Sequence, residues 1–122
     1  MPPHAYRTLM RRGRVIARIW HGWAPQATAD GYQRHFETQV SAHLQGVDGF
    51  LGARLLRRAD GAEVMFTSIT WFSSLDAVRG FAGTEYEQAV IEDAARQLLS
   101  RWDERVSHHE VVADVPQPQA GR

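Results

Sequence analysis

Apolar and polar positions change period several times along the chain, and each change marks an element. Val15, Ile16, Ala17, Arg18, Ile19 and Trp20 make a β-branched and aromatic run closed by Gly22 and Pro25, which predicts a first strand and a turn. From Thr28 the spacing becomes helical, with Tyr32, Phe36, Val40 and Leu44 four apart in one row and Gly46 placed as a stop. Phe50 to Arg57 and Glu63 to Trp71 read as strands again, and the Asp-Gly pair within Ala59, Asp60, Gly61 and Ala62 makes them a hairpin. Ser73 with Asp76 three residues on offers a capped start to a short helix, in which Leu75, Val78, Phe81 and Ala82 face one way before Gly83. Thr84 and Glu87 repeat that capping spacing. Tyr86, Val90, Ala94, Leu98 and Trp102 then form a second helical row, with a break or bend expected near Glu92 and Asp93. Val106 to Ala113 closes the series as a last strand.

The order strand, helix, strand, strand, helix, strand is the split βαβ arrangement of the α+β class. It implies a ferredoxin-like domain with a four-stranded antiparallel sheet and both helices on one face. The other face is left bare although its residues are also apolar, so pairing two sheets face to face is the expected solution, a dimeric α+β barrel with one cavity per subunit between sheet and helices. The folded unit is expected over residues 14–113. Residues 1–13, with Pro2, Pro3 and Gly13, and residues 114–122, with Pro116 and Pro118, read as flexible tails.

A chain of 122 residues with 43% hydrophobic content supports one core. Without cysteine, disulfides, thiolate metal sites and cysteine nucleophiles are excluded. Lysine is also absent, which removes Schiff-base chemistry and leaves arginine as the fixed cation. Fourteen basic residues balance fourteen acidic ones and the signs are mixed, so nucleic acid is not an expected partner. No run of eighteen apolar residues suggests a membrane span, and Met1 to Arg14 has no signal-like apolar stretch, so a cytoplasmic location is expected. Twelve aromatic residues, four of them tryptophan, lie near predicted strand ends and helix starts and suggest an aromatic-lined pocket.

Ile16-Ala17-Arg18-Ile19-Trp20-His21-Gly22, Gly49-Phe50-Leu51-Gly52, Thr70-Trp71-Phe72-Ser73-Ser74-Leu75-Asp76-Ala77 and His108-His109-Glu110-Val111-Val112 together resemble the antibiotic biosynthesis monooxygenase family, over about residues 14–113. The resemblance implies the dimeric barrel and one of two chemistries: oxygenation of aromatic polyketide phenols or anthrones without a cofactor, or oxidative opening of haem. In anthrone-oxidising members a third-strand tryptophan works with an asparagine four residues before it and a tyrosine six after. Trp71 matches that tryptophan, while the other two offsets hold Thr67 and Ala77. The asparagine, tryptophan and histidine of haem-degrading members fall near Ile19, Phe81 and Val90, which leaves no iron ligand at the expected place.

Oxygenation without a cofactor asks for a base, for a cation to hold the substrate anion, and for a dry pocket. Arg18 alternates with Ile16 and Trp20 and is the expected anion partner. The catalytic candidates are His21 at the end of the first strand, His108 in the last strand, and Trp71. His108 and His109 point to opposite faces, and the resemblance favours His108. Arg18, Trp20, Thr67, Phe81 and Tyr86 are the expected substrate-binding set. His35 and His43 read as helix-surface groups, and no histidine spacing suits a metal. The leading expectation is a homodimeric oxygenase that takes a small hydrophobic aromatic substrate and O2 with no cofactor. The alternatives are a haem-binding monooxygenase, and a non-oxidative barrel serving as a cyclase or ligand-binding module.

Overall fold

The computed structural model describes residues 14–118, so the tail expected over 1–13 and residues 119–122 of the other lie outside it. The chain runs β1 (Ile16–Pro25), α1 (Gln26–His35), a π-helical turn (Phe36–Val40), α2 (Ser41–Gln45), β2 (Phe50–Asp60), β3 (Glu63–Phe72), α3 (Leu75–Ala82), α4 (Asp93–Leu98), β4 (Arg101–Trp102) and β5 (Ser107–Glu110). The strands lie in the order β2, β3, β1, with β4 and β5 both on the outer edge of β1, and every pairing is antiparallel. This is the expected ferredoxin-like α+β sheet, its fourth position filled by two short strands. Among the described residues no helix is long and apolar enough to cross a membrane.

β1 runs three residues past the turn expected at Gly22. Gly22 stays in the strand because Trp20 folds across it: a Cβ there would meet the indole at 2.3 Å. β2 and β3 meet in a two-residue loop of Gly61 and Ala62, where glycine takes a left-handed φ of +61°. The helical row from Tyr32 to Leu44 is continuous, but it widens into a π turn at its centre. The cap of α3 is Ser74, whose hydroxyl accepts from the Ala77 N–H, rather than Ser73.

The second expected helix is largely absent. Only Asp93 to Leu98 are helical, beginning where the break was expected, and Trp102 belongs to β4. Residues 83–92 instead pair with the strand edge: the Ala89 N–H donates to Glu104 O and the Val106 N–H to Glu87 O. That tertiary pairing satisfies backbone groups a capped helix at Thr84 and Glu87 would have satisfied internally, and it overrides the local signal. The last strand is correspondingly shorter than Val106 to Ala113.

Register sorts the sheet into two faces. Ile16, Arg18, Trp20, Gly22 and Ala24 of β1 stand beside Phe72, Thr70, Ser68, Phe66 and Val64 of β3, and these pairs lie under the helices. Two apolar clusters form there: one gathers Trp20, Tyr32, Phe66 and Leu99, the other Ile16, Leu44, Phe72 and Val78. Fully burying Phe66 and Phe72 stabilises the fold by about 1.5–3 kcal/mol each. Between the clusters runs a polar belt, Arg18 paired with Thr70 and next to Ser68. The functional candidates divide around that belt.

Candidate functional site

Arg18 is 4% exposed although it is charged, and its side chain makes no salt bridge within 4 Å among the described residues. Its guanidinium is held by neutral acceptors instead. Nη1 donates to Tyr86 O and contacts His108 Nε2 at 3.0 Å, and Nη2 donates to Gln88 O at 3.1 Å. The Phe81 ring lies 5.5 Å from its centre. Burial lowers the Arg18 pKa from its ordinary value to about 10, which still leaves the group charged at neutral pH. A guanidinium has five N–H donors, so three contacts leave two for a ligand.

An arginine cannot accept a hydrogen bond, so His108 Nε2 must present its lone pair to Arg18 and carry its proton on Nδ1. Burial first, and the charge of Arg18 second, push the His108 pKa below 6.5. The sign follows directly. Folded protein binds fewer protons here than the unfolded chain, so this contribution to stability is complete above pH 6.5 and is lost as pH falls through the lowered value. His108→Gln is therefore expected to flatten the acid side of the stability profile below pH 6.5, measured by urea unfolding between pH 4.5 and 8. An unchanged slope would show that His108 titrates alike in both states.

Above the belt lies a cavity of about 50 Å3, lined by Arg18, Trp20, Ser68 and Thr70 from the sheet, by Tyr32, Phe36 and Val40 from the first helical row, and by Phe81, Val90, Ile91 and Val106. Trp20 Nε1 donates to Asp103 O at 2.9 Å, so its N–H is already used and the indole offers the cavity an apolar wall. Burial raises the Tyr32 phenol well above 10, so it stays protonated at any working pH. Thr70 Oγ1 bonds back to Arg18 O at 3.4 Å.

The structure brings Arg18, Trp20, Phe81 and His108 together. Tyr86 joins them through its carbonyl, while its ring meets His108 edge-on at 5.2 Å and lies beneath Arg79. His21, Thr67 and Trp71 are on the opposite face of the sheet, with Thr67 directly beside His21 in register. His21 stands within β1 rather than at its end, 3.3 Å from Asp103 Oδ2. Ser68, Thr70, Tyr32 and Phe36 line the cavity without having been singled out. The even spacing of Phe66, Ser68, Thr70 and Phe72 was the available signal. His35, expected on the helix surface, is 7% exposed and packs against Tyr32, with Nε2 unpartnered.

No family model matches the chain, and no curated protein matches it. Solved structures do. SnoaB from Streptomyces nogalater, a cofactor-independent oxygenase, aligns with a TM-score of 0.56 at 17% identity, over 88% of this chain and 100% of its own. The heme-degrading protein Rv3592 from Mycobacterium tuberculosis, in a heme-free form, gives 0.60 at 22% identity, over 86% and 99%. The monooxygenase ActVA-Orf6 of Streptomyces coelicolor, in complex with Nanaomycin D, gives 0.52 at 15% identity, over 90% and 96%. The chain has the fold of the antibiotic biosynthesis monooxygenases.

Haem iron is commonly held by an axial imidazole. Of the three positions implied by the resemblance, Phe81 and Val90 line the cavity and Ile19 points to the opposite face. The cavity lining contains no histidine, and the Nε2 of neighbouring His108 faces Arg18. Neither the volume of this cavity, about 50 Å3, nor its lining, in which Tyr32 stays protonated, fits haem.

Proposed function

We propose that this chain is a cofactor-independent oxygenase of hydrophobic aromatic phenols or anthrones of the polyketide type, working in the cytoplasm as a homodimer of its 14–113 domain. The observation that carries the reading is Arg18: a buried cation that has no carboxylate partner among the described residues and lines a cavity with aromatic walls. A charge left uncompensated in such a place is costly to the fold, and a substrate oxyanion is the partner that would offset it. SnoaB and ActVA-Orf6, which share the fold, support oxygen chemistry on an aromatic substrate.

In this mechanism the substrate's phenolic oxygen takes the place of His108 at Arg18 Nη1. The freed Nε2 then accepts the phenol proton, leaving the phenolate between two cations. A proton moves from the ring CH2 to the phenolate oxygen, and the resulting carbanion passes one electron to O2. The two radicals join at that carbon as a peroxide, which takes back the proton held by His108. Loss of water converts a ring CH2 to C=O, so one oxygen atom enters the product and the other leaves as water. Apolar walls keep bulk water from quenching the anion.

The test is O2 uptake with a phenolic anthrone and no added cofactor. One O2 consumed per ketone formed is the expected result, and ketone formation without oxygen would sink the reading. The small cavity and the engaged lone pair of His108 favour one other reading, a binding module. Tight binding of the anthrone with no oxygen uptake would select it.

A further inference from the structure

Phe36 belongs to two cavities at once. It lines the inner one above Arg18, and it also walls a cleft of about 300 Å3 between α1 and β2, together with Gln33, Glu37, Leu55, Arg57 and Phe66. The two floors are continuous: Leu55 in the cleft is the cross-strand partner of Ser68 in the cavity. At the mouth, the Arg57 charge is already engaged by Asp30 and Gln33, each at 2.9 Å, which leaves Arg18 as the available cation inside. The half-buried Phe36 side chain stands between the two spaces.

Its backbone is unusual as well. Phe36 opens the π-helical turn, and its carbonyl accepts from the Ser41 N–H five residues on. In a regular α-helix each four-residue step turns the row by about 40°, so Tyr32, Phe36 and Val40 would drift off a common line. The wider turn takes up that drift and keeps Phe36 and Val40 over the cavity. Such turns hold their hydrogen bonds less ideally and recur at functional sites.

Neither space suits an aromatic substrate alone. The inner cavity takes no more than a water or two, and the outer cleft offers no free cation, because its Arg57 is engaged. Together they reach the lower end of the roughly 300–1,000 Å3 typical of ligand pockets. The geometry points to Phe36 as the gate and specificity residue of the Arg18 site. Rotation of its ring joins cleft to cavity and admits a flat aromatic anion along β2, with the anionic end at Arg18 and the far ring over Leu55 and Phe66. This deepens the reading of Arg18 as an anion partner and rests on it.

The full-length chain is titrated with 8-anilinonaphthalene-1-sulfonate, whose fluorescence reports removal of an aromatic anion from water. Phe36→Ala is expected to tighten binding about tenfold and Phe36→Trp to weaken it by a similar factor, each worth about 1.4 kcal/mol. Adding Arg18→Met to Phe36→Ala is expected to abolish the gain. Equal affinities across the parent and both Phe36 variants would overturn the gate, and sensitivity to Arg18→Met in the parent would then show that the anion site itself stands. A gain in Phe36→Ala that survives Arg18→Met would put the probe in the outer cleft and overturn the joining of the two spaces. No binding to Phe36→Ala would overturn it too, and Phe36→Leu serves if the alanine variant does not fold.

Discussion

Arg18→Met is expected to weaken binding of an aromatic oxyanion by about a hundredfold, the effect of removing a preorganised donor from a developing charge, while fold stability changes by less than about 2 kcal/mol. The first part follows from geometry: Arg18 is the cation at the cavity floor, and methionine of similar length supplies no donor. The second part is a balance of opposing terms. Removing the guanidinium strands Tyr86 O, Gln88 O and His108 Nε2, each at a cost of about 1–3 kcal/mol if no water replaces the donor. It also removes an unpaired buried charge, whose desolvation costs several kcal/mol. A loss of affinity without a comparable loss of stability is what distinguishes a functional charge from a structural one. Titration with a phenolate, alongside urea unfolding, measures both. Unchanged affinity would remove Arg18 from the site, and collapse of the fold would make it a structural bracket for the loop at Tyr86 and Gln88.

Arg18→Lys separates charge from shape. A lysine keeps the cation, but its compact ammonium cannot span two carbonyls and an imidazole as the planar fork does. The loop that carries Tyr86 and Gln88 is held to the sheet through those contacts and the backbone bonds of Ala89 and Val106. Charge alone is therefore not sufficient to order the site.

How far the sequence discloses this arrangement depends on the range of the interaction concerned. Alternation within β1 is enough to place Arg18 and Trp20 on one face, because it needs only neighbouring residues. The hairpin is equally local, with Gly61 as its signature. The side on which Trp71 lies is a different matter. Phe66, Phe72, Met65, Ile69 and Trp71 make both faces of β3 apolar, and only the long-range pairing of Ala17 with Trp71, and of Arg18 with Thr70, decides which face meets the helices. Trp71 and Thr67 consequently share a face, as their spacing requires, but it is the one opposite Arg18. The loop at residues 83–92 is illegible for a further reason: its contacts with Arg18 are backbone carbonyls, which every residue type supplies. Phe36 and Val40 were visible as a helical row, yet nothing in the spacing announces the π turn that aims them.

The face away from the helices carries the other large effect. Ile19, Trp23, Met65, Ile69 and Trp71 stand there together, half-buried within one chain, and Leu56 beside them is 49% exposed. An apolar surface of this kind on a sheet is unfavourable in water and would be removed from it by a second copy applied face to face, which is the homodimer proposed above. Ile69 lies at its centre, opposite Ile19 on one side and Arg54 on the other. Ile69→Arg is expected to shift the native mass from twice 13.8 kDa to a single chain. A charge at that position has no acid facing it in register on β1 or β2 and would meet its own copy across a two-fold interface. Thermal stability should fall with it, by about 4–8 °C for each kcal/mol of coupling lost. Gln39→Arg, on the exposed side of the first helical row, is the control and should change neither property. Sedimentation and melting curves decide the matter. If the parent chain is already monomeric, Ile69→Arg will leave the mass unchanged, the apolar face must then be covered by something other than a second copy, and His21, Thr67 and Trp71 become candidates for contacts with that partner rather than residues of a barrel interior.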